Sequence, residues 1–466
     1  MKQYPLHTTY KSVLADTITP VSVYLKIRDK FPHSILLESS DYHASDNSFS
    51  YICCHPIAHF KVENNLISTQ FPDGSPADIP ITGDVSVSGE ISKFMQRFEV
   101  NGPDLKFPYN GLFGFTSYEA VRYFEKTDIA PKDDSIAIPE LYYAIYQNVI
   151  AINHFNNEAY IFCHSITDFS NIDEIEQLLQ VKNFASFSFS KVGETISNLT
   201  DENFKEQVTL AKKHCHRGDV FQLVLSRRFS QKFKGDEFNV YRALRHINPS
   251  PYLFYFDYGD FKLFGSSPEA HLVVKNGEAE IHPIAGTFKR TGNDENDAQQ
   301  ARKLAEDRKE NSEHVMLVDL ARNDLSRNCH TVKVEKYKEI QFFSHVIHLV
   351  SKVTGQLKPE AKIMELVAST FPAGTLTGAP KHKAMQLIEN IEKTSRGFYG
   401  GAIGFIDFNG NFNHAILIRT FLSKDHQLHY QAGAGIVESS SEESEMQEVY
   451  HKLNALTRAL EKAEKI

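Results

Sequence analysis

The feature that most constrains the fold is a succession of short strand-like runs separated by glycine-containing turns. Between residues 251 and 290 the chain reads PYLFYFDYG, FKLFGSS, AHLVVKNG and EAEIHPIAGTFKR, a pattern typical of antiparallel hairpins. Three more such runs, GGAIGFIDF, HAILIRTF and QLHYQAGAGIV, follow from residue 400 onward. A doubly wound parallel sheet would alternate each strand with a helix. The sequence therefore predicts an α+β fold, with antiparallel sheets packed together and helices outside.

Helical patterns flank these runs. Two long helices are predicted, one over 296–324 with a break near Arg308 and one over 442–465. A shorter helix is predicted near residue 200, where apolar residues recur at intervals of three or four. Those residues are Phe204, Val208, Ala211 and Cys215.

The length of the chain indicates more than one hydrophobic core. With 466 residues, it exceeds the usual size of a single domain. A polar, serine-rich passage at 181–200 shows no helical or strand period. We predict a smaller N-terminal domain at 1–180, a linker at 181–200 and a larger domain at 201–466, and leave open whether the two halves interleave their strands.

Charge and composition exclude several classes of protein. The net charge of −9 offers no basic surface for nucleic acid. The start of the chain is too polar for a signal peptide, and no apolar run is long enough to span a membrane. The five cysteines form no CxxC pair and are odd in number, which favours reduced thiols. We expect a cytoplasmic protein with no nucleic-acid or membrane partner.

Two Glu-x-x-Glu pairs are the most informative acidic pattern. Glu310 and Glu313, and likewise Glu445 and Glu448, are three residues apart, so a helix places each pair on one face. Four carboxylates brought together would repel one another unless a hard cation lay between them, and Mg²⁺ accepts such ligands. On spacing alone, however, solvated helix surface is the more common explanation.

Other candidate residues are weaker when taken singly. Arg419 is a lone charge at the end of an apolar strand, and the run AGAGIV offers backbone amides to an anion. Glu438 stands where a dinucleotide fingerprint needs glycine, so that motif is excluded. Glu269 is either a general acid or an exposed strand-end glutamate. His348 is either a proton-transfer residue or an ordinary core histidine.

Taken in order, the segments of the second half resemble those of the chorismate-utilising enzymes, most closely the large subunit of anthranilate synthases. The matching segments are GDVFQLVLS, SSPE, HPIAGT, EHVMLVDLARNDL, HLVSKVTG, FPAGTLTGAPK, YGGAIG, ILIRT and GAGIV, followed by the closing Glu-x-x-Glu. They extend over roughly 200–459. This order makes a chance match improbable and favours function over the structural explanations above.

The resemblance implies roles for the matching positions. Glu313 and Glu448 would bind Mg²⁺, with Glu310 and Glu445 close by. The residues implied to hold the carboxylates of chorismate are Gly286, Thr287, Tyr399, Arg419, Gly433, Ala434 and Gly435. Glu269 would protonate the departing C4 hydroxyl, His348 would assist the loss of pyruvate, and Thr375 would lie in a loop lining the site.

One position separates the members of this family. The similar aminodeoxychorismate synthases have PIKGT, in which the lysine attacks the ring, where this chain has Ala285. External ammonia must then attack directly, which favours anthranilate as the product. The alternatives are an aminodeoxychorismate synthase and a catalytically silent relative that only binds tryptophan or a partner.

The resemblance also implies that 1–180 is a regulatory domain, that 201–466 is the chorismate-binding catalytic domain, and that the chain has a partner. Two segments resemble the family's tryptophan feedback pocket, which predicts inhibition by L-tryptophan bound through Ser39, Pro251, Tyr252 and Leu253. No cysteine here has the setting of a glutaminase nucleophile. We therefore expect a separate glutamine amidotransferase subunit, in a heterotetramer. Two departures from the family, Ser326 and the run 438–442, affect local geometry rather than the implied ligands.

Overall fold

The computed structural model describes residues 2–39, 48–127, 129–130, 132, 136–342 and 346–466, with only the backbone of Thr287. Ten α-helices lie in these residues: α1 (Pro20–Ile27), α2 (Val87–Met95), α3 (Ile172–Gln180), α4 (Asp201–His216), α5 (Phe238–Ile247), α6 (Asp294–Glu306), α7 (Arg308–Ser326), α8 (Ile363–Thr370), α9 (Lys381–Ile391) and α10 (Glu442–Ala463). Short 3-10 helices span Tyr118–Tyr123 and Gly374–Leu376.

The strands of the same residues are β1 (Tyr4–Leu14), β2 (Ile35–Ser39), β3 (Phe49–Glu63), β4 (Leu66–Gln70), β5 (Pro76–Pro80), β6 (Phe98–Asn101), β7 (Leu112–Thr116), β8 (Leu141–Asn153), β9 (Glu158–Ser165), β10 (Phe189–Ser197), β11 (Gln222–Gly235), β12 (Tyr252–Asp257), β13 (Phe261–Ser267), β14 (Ala270–Lys275), β15 (Glu278–Ile281), β16 (Ile284–Lys289), β17 (Cys329–Phe342), β18 (Val346–Leu357), β19 (Gly378–Ala379), β20 (Ala402–Ile406), β21 (Phe412–Ile416), β22 (Thr420–Lys424) and β23 (Gln427–Ile436).

These strands form two sheets that share two long strands. The first sheet runs β6–β1–β9–β8–β3–β2–β12–β13–β22–β23–β11–β10. The second runs β5–β4–β3–β8–β7–β20–β21–β14–β15–β18–β17, with β16 also paired to β18. Within the described residues every one of these pairings except β1–β6 is antiparallel. The predicted α+β class with antiparallel sheets is confirmed.

The two sheets pack face to face with helices on both outer sides. Aromatic and aliphatic residues from both sheets, among them Phe113, Phe254 and Leu422, fill the space between the sheets. Helices α1, α3, α4, α5, α9 and α10 cover the outer face of the first sheet. Helices α2, α7 and α8 cover that of the second. Burial of these apolar faces supplies most of the driving force for folding.

The two halves of the chain interleave their strands. β2 lies between β3 and β12, and β7 lies between β8 and β20. The passage at 181–200, predicted to have no strand period, contains a strand: Phe189–Ser197 form β10, which pairs with β11. Most side chains of β10 are exposed, so the strand carries no alternating apolar signal that its sequence would reveal.

Local sequence signals set the ends of the two acidic helices. The predicted break near Arg308 falls at Asp307, whose carboxylate accepts hydrogen bonds from the amides of Lys309 (2.9 Å) and Glu310 (3.0 Å) and caps α7. Ser441 caps α10 by accepting from Ser444 N at 3.2 Å. Each cap satisfies amide groups that have no partner inside the helix.

Both long helices are amphipathic rather than apolar. The buried side of α10 carries Met446, Val449 and Leu453, and charged residues cover its outer side. No helix among the described residues has the length and apolar character needed to cross a bilayer. All five cysteines are free thiols, as their number and spacing predict.

Candidate active site

The two Glu-x-x-Glu pairs lie within electrostatic range of each other. Burial raises the pKa of Glu310, and the charges of Glu313 and Glu448 raise it further. Burial also raises the pKa of Glu445, with Glu448 as a like-charged neighbour. The carboxylate of Glu310 on α7 is therefore close enough to that of Glu448 on α10 for their charges to interact. Glu310 and Glu445 lie in the first turns of their helices, where the helix dipole stabilises negative charge, and Glu313 and Glu448 lie one turn further along.

The carboxylates are short of partners. Glu445 is only 3% exposed, and its Oε2 is buried without a hydrogen bond. Glu313 Oε1 accepts from Gln222 Nε2 at 3.0 Å, and Glu448 Oε1 pairs with Lys452 Nζ at 2.7 Å. In the described part of the chain, no group of three or more His, Cys, Asp or Glu side chains is arranged to hold a metal ion. The four glutamates lie near one another, but their carboxylates are not arranged around a single ion position.

Arg419 and Tyr399 form a cationic and phenolic wall beside the glutamates. Burial lowers the pKa of Arg419, and Tyr399 and Glu448 oppose that shift. Burial raises the pKa of Tyr399, while the charge of Arg419 lowers it. These three side chains are therefore neighbours. Arg419 has a left-handed backbone (φ +51°) between β21 and β22 and donates to the carbonyl oxygen of Lys452.

The glycines of β23 let the backbone approach this wall. A methyl group added at Gly433 would lie 2.9 Å from the Tyr399 hydroxyl, and one added at Gly435 would lie 2.6 Å from Gln222 Nε2. Side chains larger than hydrogen would fill that space. Ala434 points the other way, with its side chain fully buried in the core under the helices, so only its backbone faces the site.

Glu269 lies at the other side of the site, just before β14. Its Oε1 accepts from Thr375 Oγ1 at 3.0 Å, and burial raises the pKa of Glu269 to about 7. The charge of Lys452 opposes this shift. Both Glu269 and Thr375 line a cavity of about 40 Å³. Because the carboxyl keeps its proton near neutral pH, Glu269 can donate it.

His348 and Gly286 are joined by a hydrogen bond. His348 Nδ1 donates to the carbonyl oxygen of Gly286 at 2.7 Å, since a carbonyl only accepts. In the neutral ring Nε2 then carries the lone pair. Burial, and secondarily the charge of Arg419, lowers the pKa of His348. Gly286 (φ +67°) lies in a bulge of β16 next to Glu310. The side chain of Thr287 lies outside the described residues.

Two further residues at the site had not been singled out from the sequence. Lys452 pairs with Glu448, donates to the carbonyl oxygen of Gly433 at 2.9 Å, and influences Glu269 and Glu445. Its signal was its position four residues after Glu448, on the same helix face. Gln222 is buried beside Glu313. It lies within GDVFQLVLS, but nothing in that segment distinguishes it from an ordinary strand glutamine.

The predicted tryptophan-contact residues also come together, away from the glutamates. In the β2–β12 ladder Ser39 is the register partner of Tyr252, and Glu38 that of Leu253. Leu253 is buried. Glu38 is buried too, and accepts from Tyr241 Oη at 2.5 Å. Pro251 immediately precedes the strand.

This architecture and site belong to a known class: the chain is a member of the chorismate-binding enzyme family, whose sequence pattern matches residues 33–458. The predicted resemblance to the large subunit of anthranilate synthases is confirmed. Anthranilate synthase component 1 of Aquifex aeolicus (strain VF5) is 35% identical over 483 residues, covering 99% of this chain and 96% of that protein. The Lactococcus lactis subsp. lactis (strain IL1403) protein of the same name is 36% identical, with coverage of 96% and 98%.

Solved structures agree with the fold. The crystal structure of anthranilate synthase component I from Streptococcus pneumoniae TIGR4 superposes with a TM-score of 0.79 at 30% identity, covering 96% of this chain and 99% of that one. MenF, the menaquinone-specific isochorismate synthase from Escherichia coli, has a TM-score of 0.75 at 16% identity. At that identity the second likeness concerns the fold alone.

Proposed function

We propose that this chain converts chorismate and ammonia to anthranilate and pyruvate, the first step of tryptophan biosynthesis, and that the reaction needs Mg²⁺. One observation carries the proposal: Lys452 pairs with Glu448, and Arg419 and Tyr399 are both within electrostatic range of the Glu448 carboxylate. Groups suited to a substrate's carboxylates thus adjoin groups suited to a divalent cation. The relatives named anthranilate synthase component 1 point to the same reaction.

The glutamates fit Mg²⁺ by their chemistry. The buried Oε2 of Glu445 has no partner, and the raised pKa values of Glu310 and Glu445 reflect burial with like-charged neighbours. Glu313 and Glu448 would bind the ion, with Glu310 and Glu445 beside them. When bound, the ion would offset the charge of the ring carboxylate and draw electron density from the ring.

The side chains of the chain itself perform the remaining tasks. Arg419, the Tyr399 hydroxyl and the backbone at Gly433 would hold the carboxylates of chorismate. Glu269, with its pKa of about 7, donates a proton to the C4 oxygen. Ammonia attacks C2 as the C4–O bond breaks, and water leaves. The proton that ammonia releases restores the acid.

The second step makes the ring aromatic. His348 is kept neutral by burial, so Nε2 can accept the C2 proton. The bond between C3 and the enolpyruvyl oxygen breaks, the methylene carbon gains a proton, and pyruvate leaves. The overall balance is chorismate plus ammonia to anthranilate, pyruvate and water. Ala285, which pairs with Leu349 and is buried, offers no amine to compete with ammonia.

The test is product identification. Purified protein is incubated with chorismate, Mg²⁺ and an ammonium salt at alkaline pH, and the products are separated. Fluorescent anthranilate and equimolar pyruvate are expected, and Glu313→Gln should abolish both while Glu461→Gln, an exposed residue of α10, should not. A non-fluorescent aminated product would instead identify an aminodeoxychorismate synthase. Unchanged chorismate would indicate a silent relative.

We also propose feedback inhibition by L-tryptophan at the β2–β12 ladder, with Ser39 and residues 251–253 in contact with the ligand. The support is the register that brings Ser39 opposite Tyr252. The chain has no tryptophan, so indole fluorescence reports only the added ligand. Saturable binding and loss of activity are expected, and Ser39→Phe should remove both, whereas Ser12→Phe, exposed on β1, should not. If millimolar tryptophan leaves activity unchanged, this proposal is wrong.

The ammonia is proposed to come from a separate glutamine amidotransferase subunit. None of the five cysteines lies in a glutaminase motif, and four of them are buried. Alone, the chain should use ammonium but not glutamine. Adding a partner amidotransferase should confer glutamine-dependent turnover and produce a heteromeric complex on size exclusion. Glutamine-dependent activity of the chain alone would contradict the proposal.

A further inference from the structure

A buried ion pair lies directly behind the wall formed by Tyr399 and Arg419. Arg396 and Glu392 are 2% and 5% exposed, respectively, and neither has a role in the reaction proposed above. Arg396 Nε donates to Glu392 Oε2 and Nη2 to Glu392 Oε1, both at 2.8 Å. Burying two charges is costly unless every donor and acceptor finds a partner. The other contacts of the pair therefore decide what it does.

The remaining donors of Arg396 reach two other segments of the site. Nη1 donates to the carbonyl oxygen of Leu376 at 2.7 Å, and Nη2 donates to that of Val224 at 2.8 Å. Leu376 directly follows Thr375, the residue that donates to Glu269. Val224 is two residues from Gln222, which donates to Glu313. One guanidinium thus joins the loop of the general acid to the strand that contacts a metal-ligand candidate.

Glu392 extends this connection to the glycine strand. Its Oε1 accepts from Ser226 N at 2.7 Å and from Ser226 Oγ at 2.8 Å. Ser226 is the register partner of Gly433 in the β11–β23 ladder. The hydroxyl of Ser226 also accepts from Gln431 Nε2 at 2.8 Å. The Glu392 carboxylate therefore bonds to β11 directly, through Ser226, and is linked to β23 through the bond between Ser226 and Gln431.

The guanidinium is held between two tyrosine rings. Its carbon lies 4.8 Å from the centre of the Tyr118 ring and 5.7 Å from that of the Tyr399 ring. Glu119 accepts from the backbone amides of Arg396 (2.7 Å) and Gly397 (2.9 Å). Glu119 thus holds the backbone of the segment that carries Tyr399, and the Arg396 guanidinium packs against the Tyr399 ring.

We propose that Arg396 is a positioning residue, which acts through Tyr399, Thr375 and Gly433 to hold both the chorismate pocket and the general acid in register. The proposal rests on the function proposed above. Lysine cannot replace Arg396, because one ammonium group cannot reach a carboxylate and two carbonyls on separate segments. Displacing a reacting group by about 1 Å can reduce the rate about a hundredfold.

A second buried pair provides a matched control. Arg122 and Glu140 are 11% and 10% exposed and are joined by a 2.5 Å hydrogen bond, and the Arg122 guanidinium lies 4.8 Å from the Tyr123 ring centre. Among the described residues the side chain of Arg122 bonds to Glu140 and to the Tyr123 hydroxyl, and neither partner is assigned to the site. Arg122→Lys therefore makes the same chemical change without touching the pocket.

The experiment compares Arg396→Lys and Arg122→Lys with wild type. Denaturation measures stability, calorimetry without ammonia measures chorismate affinity, and steady-state kinetics gives kcat and KM. Both variants should lose stability. Only Arg396→Lys should bind chorismate about tenfold more weakly and lose about a hundredfold in kcat/KM. Wild-type affinity and kinetics in Arg396→Lys would overturn the proposal, as would equal kinetic losses in both variants.

Two outcomes need a further comparison: failure of Arg396→Lys to fold, and failure of wild type to form anthranilate. Should Arg396→Lys fail to fold, Glu392→Gln replaces it: the amide keeps the size of the side chain but loses the charge, and weaker chorismate binding is again expected. Wild-type affinity in that variant would overturn the proposal. If wild type binds chorismate but forms no anthranilate, the proposed function fails, whereas the calorimetric comparison still tests Arg396.

Discussion

Two clusters of charge lie at the same site and are built in opposite ways. The Arg396–Glu392 pair is well satisfied: each of the three guanidinium nitrogens donates to an oxygen, and Glu392 also accepts from Ser226. The glutamates of α7 and α10 are crowded by like charge, and Glu445 Oε2 has no partner at all. The two clusters also differ in burial: Arg396 and Glu392 are almost fully buried, whereas only Glu445 of the four glutamates is buried and the Glu448 side chain is 43% exposed.

The contrast separates structure from function. A satisfied buried network holds its surroundings rigid, whereas a crowded group of carboxylates with an unpartnered buried oxygen destabilises the free protein until a cation neutralises it. The Arg396 cluster should therefore contribute to both stability and activity, whereas the glutamates should contribute to activity without adding to stability. The following variants test this division.

The largest effect is expected for Glu448→Gln. The amide removes a metal-ligand candidate and its pairing with Lys452, so kcat/KM should fall by about a thousandfold. The free energy of unfolding should change by less than about 1 kcal/mol, because like-charge repulsion is relieved as the ion pair is lost. Kinetics and urea denaturation measure the two quantities, with Glu461→Gln as control. A large loss of stability with normal kinetics would reverse the division.

Glu269→Gln should lower kcat/KM by about a hundredfold, because the amide cannot donate an acidic proton. At constant free ammonia, wild-type kcat/KM should fall as the pH rises above about 7, the value to which burial raises the pKa of Glu269. The variant should lack that limb of the pH profile. An unchanged profile would assign the proton donor to another group.

Glu269→Gln should also change how the free energy of unfolding depends on pH. The folded protein keeps the Glu269 proton between pH 4.5 and about 7, where the unfolded chain has lost it. Wild-type stability therefore decreases as the pH rises through that window. At about pH 8 the variant should be more stable than wild type, by about 3 kcal/mol at most, and the difference should vanish in acid. Denaturation at both pH values measures it.

The sequence predicted what depends on neighbouring residues. Helices α7 and α10, the break at Asp307 and the cap at Ser441 follow from periodicity and local polar signals. Each Glu-x-x-Glu pair shares a face for the same reason. The hairpins after residue 250 were predictable on similar grounds, because their turns are short and rich in glycine.

What was not predictable depends on contacts between distant segments. The insertion of β2 between β3 and β12, and the pairing of the exposed strand β10, leave no periodic signal in their own residues. In the sequence, Lys452 and Gln222 are indistinguishable from ordinary helix and strand residues. Only the fold places Lys452 next to Gly433 of β23 and Gln222 next to Glu313 of α7. Strand alternation predicts that Gly433 and Ala434 face opposite ways, but only the fold shows which of them faces Tyr399 and which the core.

Tyr399 lies where the two clusters of charge meet, and Tyr399→Phe tests what its hydroxyl contributes. Its hydroxyl faces Gly433, while its ring packs against the guanidinium of Arg396. Loss of the hydroxyl should raise the KM for chorismate about tenfold with little change in kcat. Tyr118→Phe is the matched control, because its buried hydroxyl has no partner on the other side of the same guanidinium. Equal effects in both would show that the ring alone matters.

The smallest effect is expected for Glu445→Gln. The substitution removes a buried negative charge next to Glu448 and gives the orphaned position a neutral amide, so the metal-free protein should gain about 1 kcal/mol of stability. Mg²⁺ should stabilise wild type more than the variant, because an ion that binds the folded state stabilises it in proportion to its affinity. Thermal denaturation across a Mg²⁺ titration measures both effects. A variant that is less stable without Mg²⁺ would show that Glu445 belongs with the satisfied structural charges.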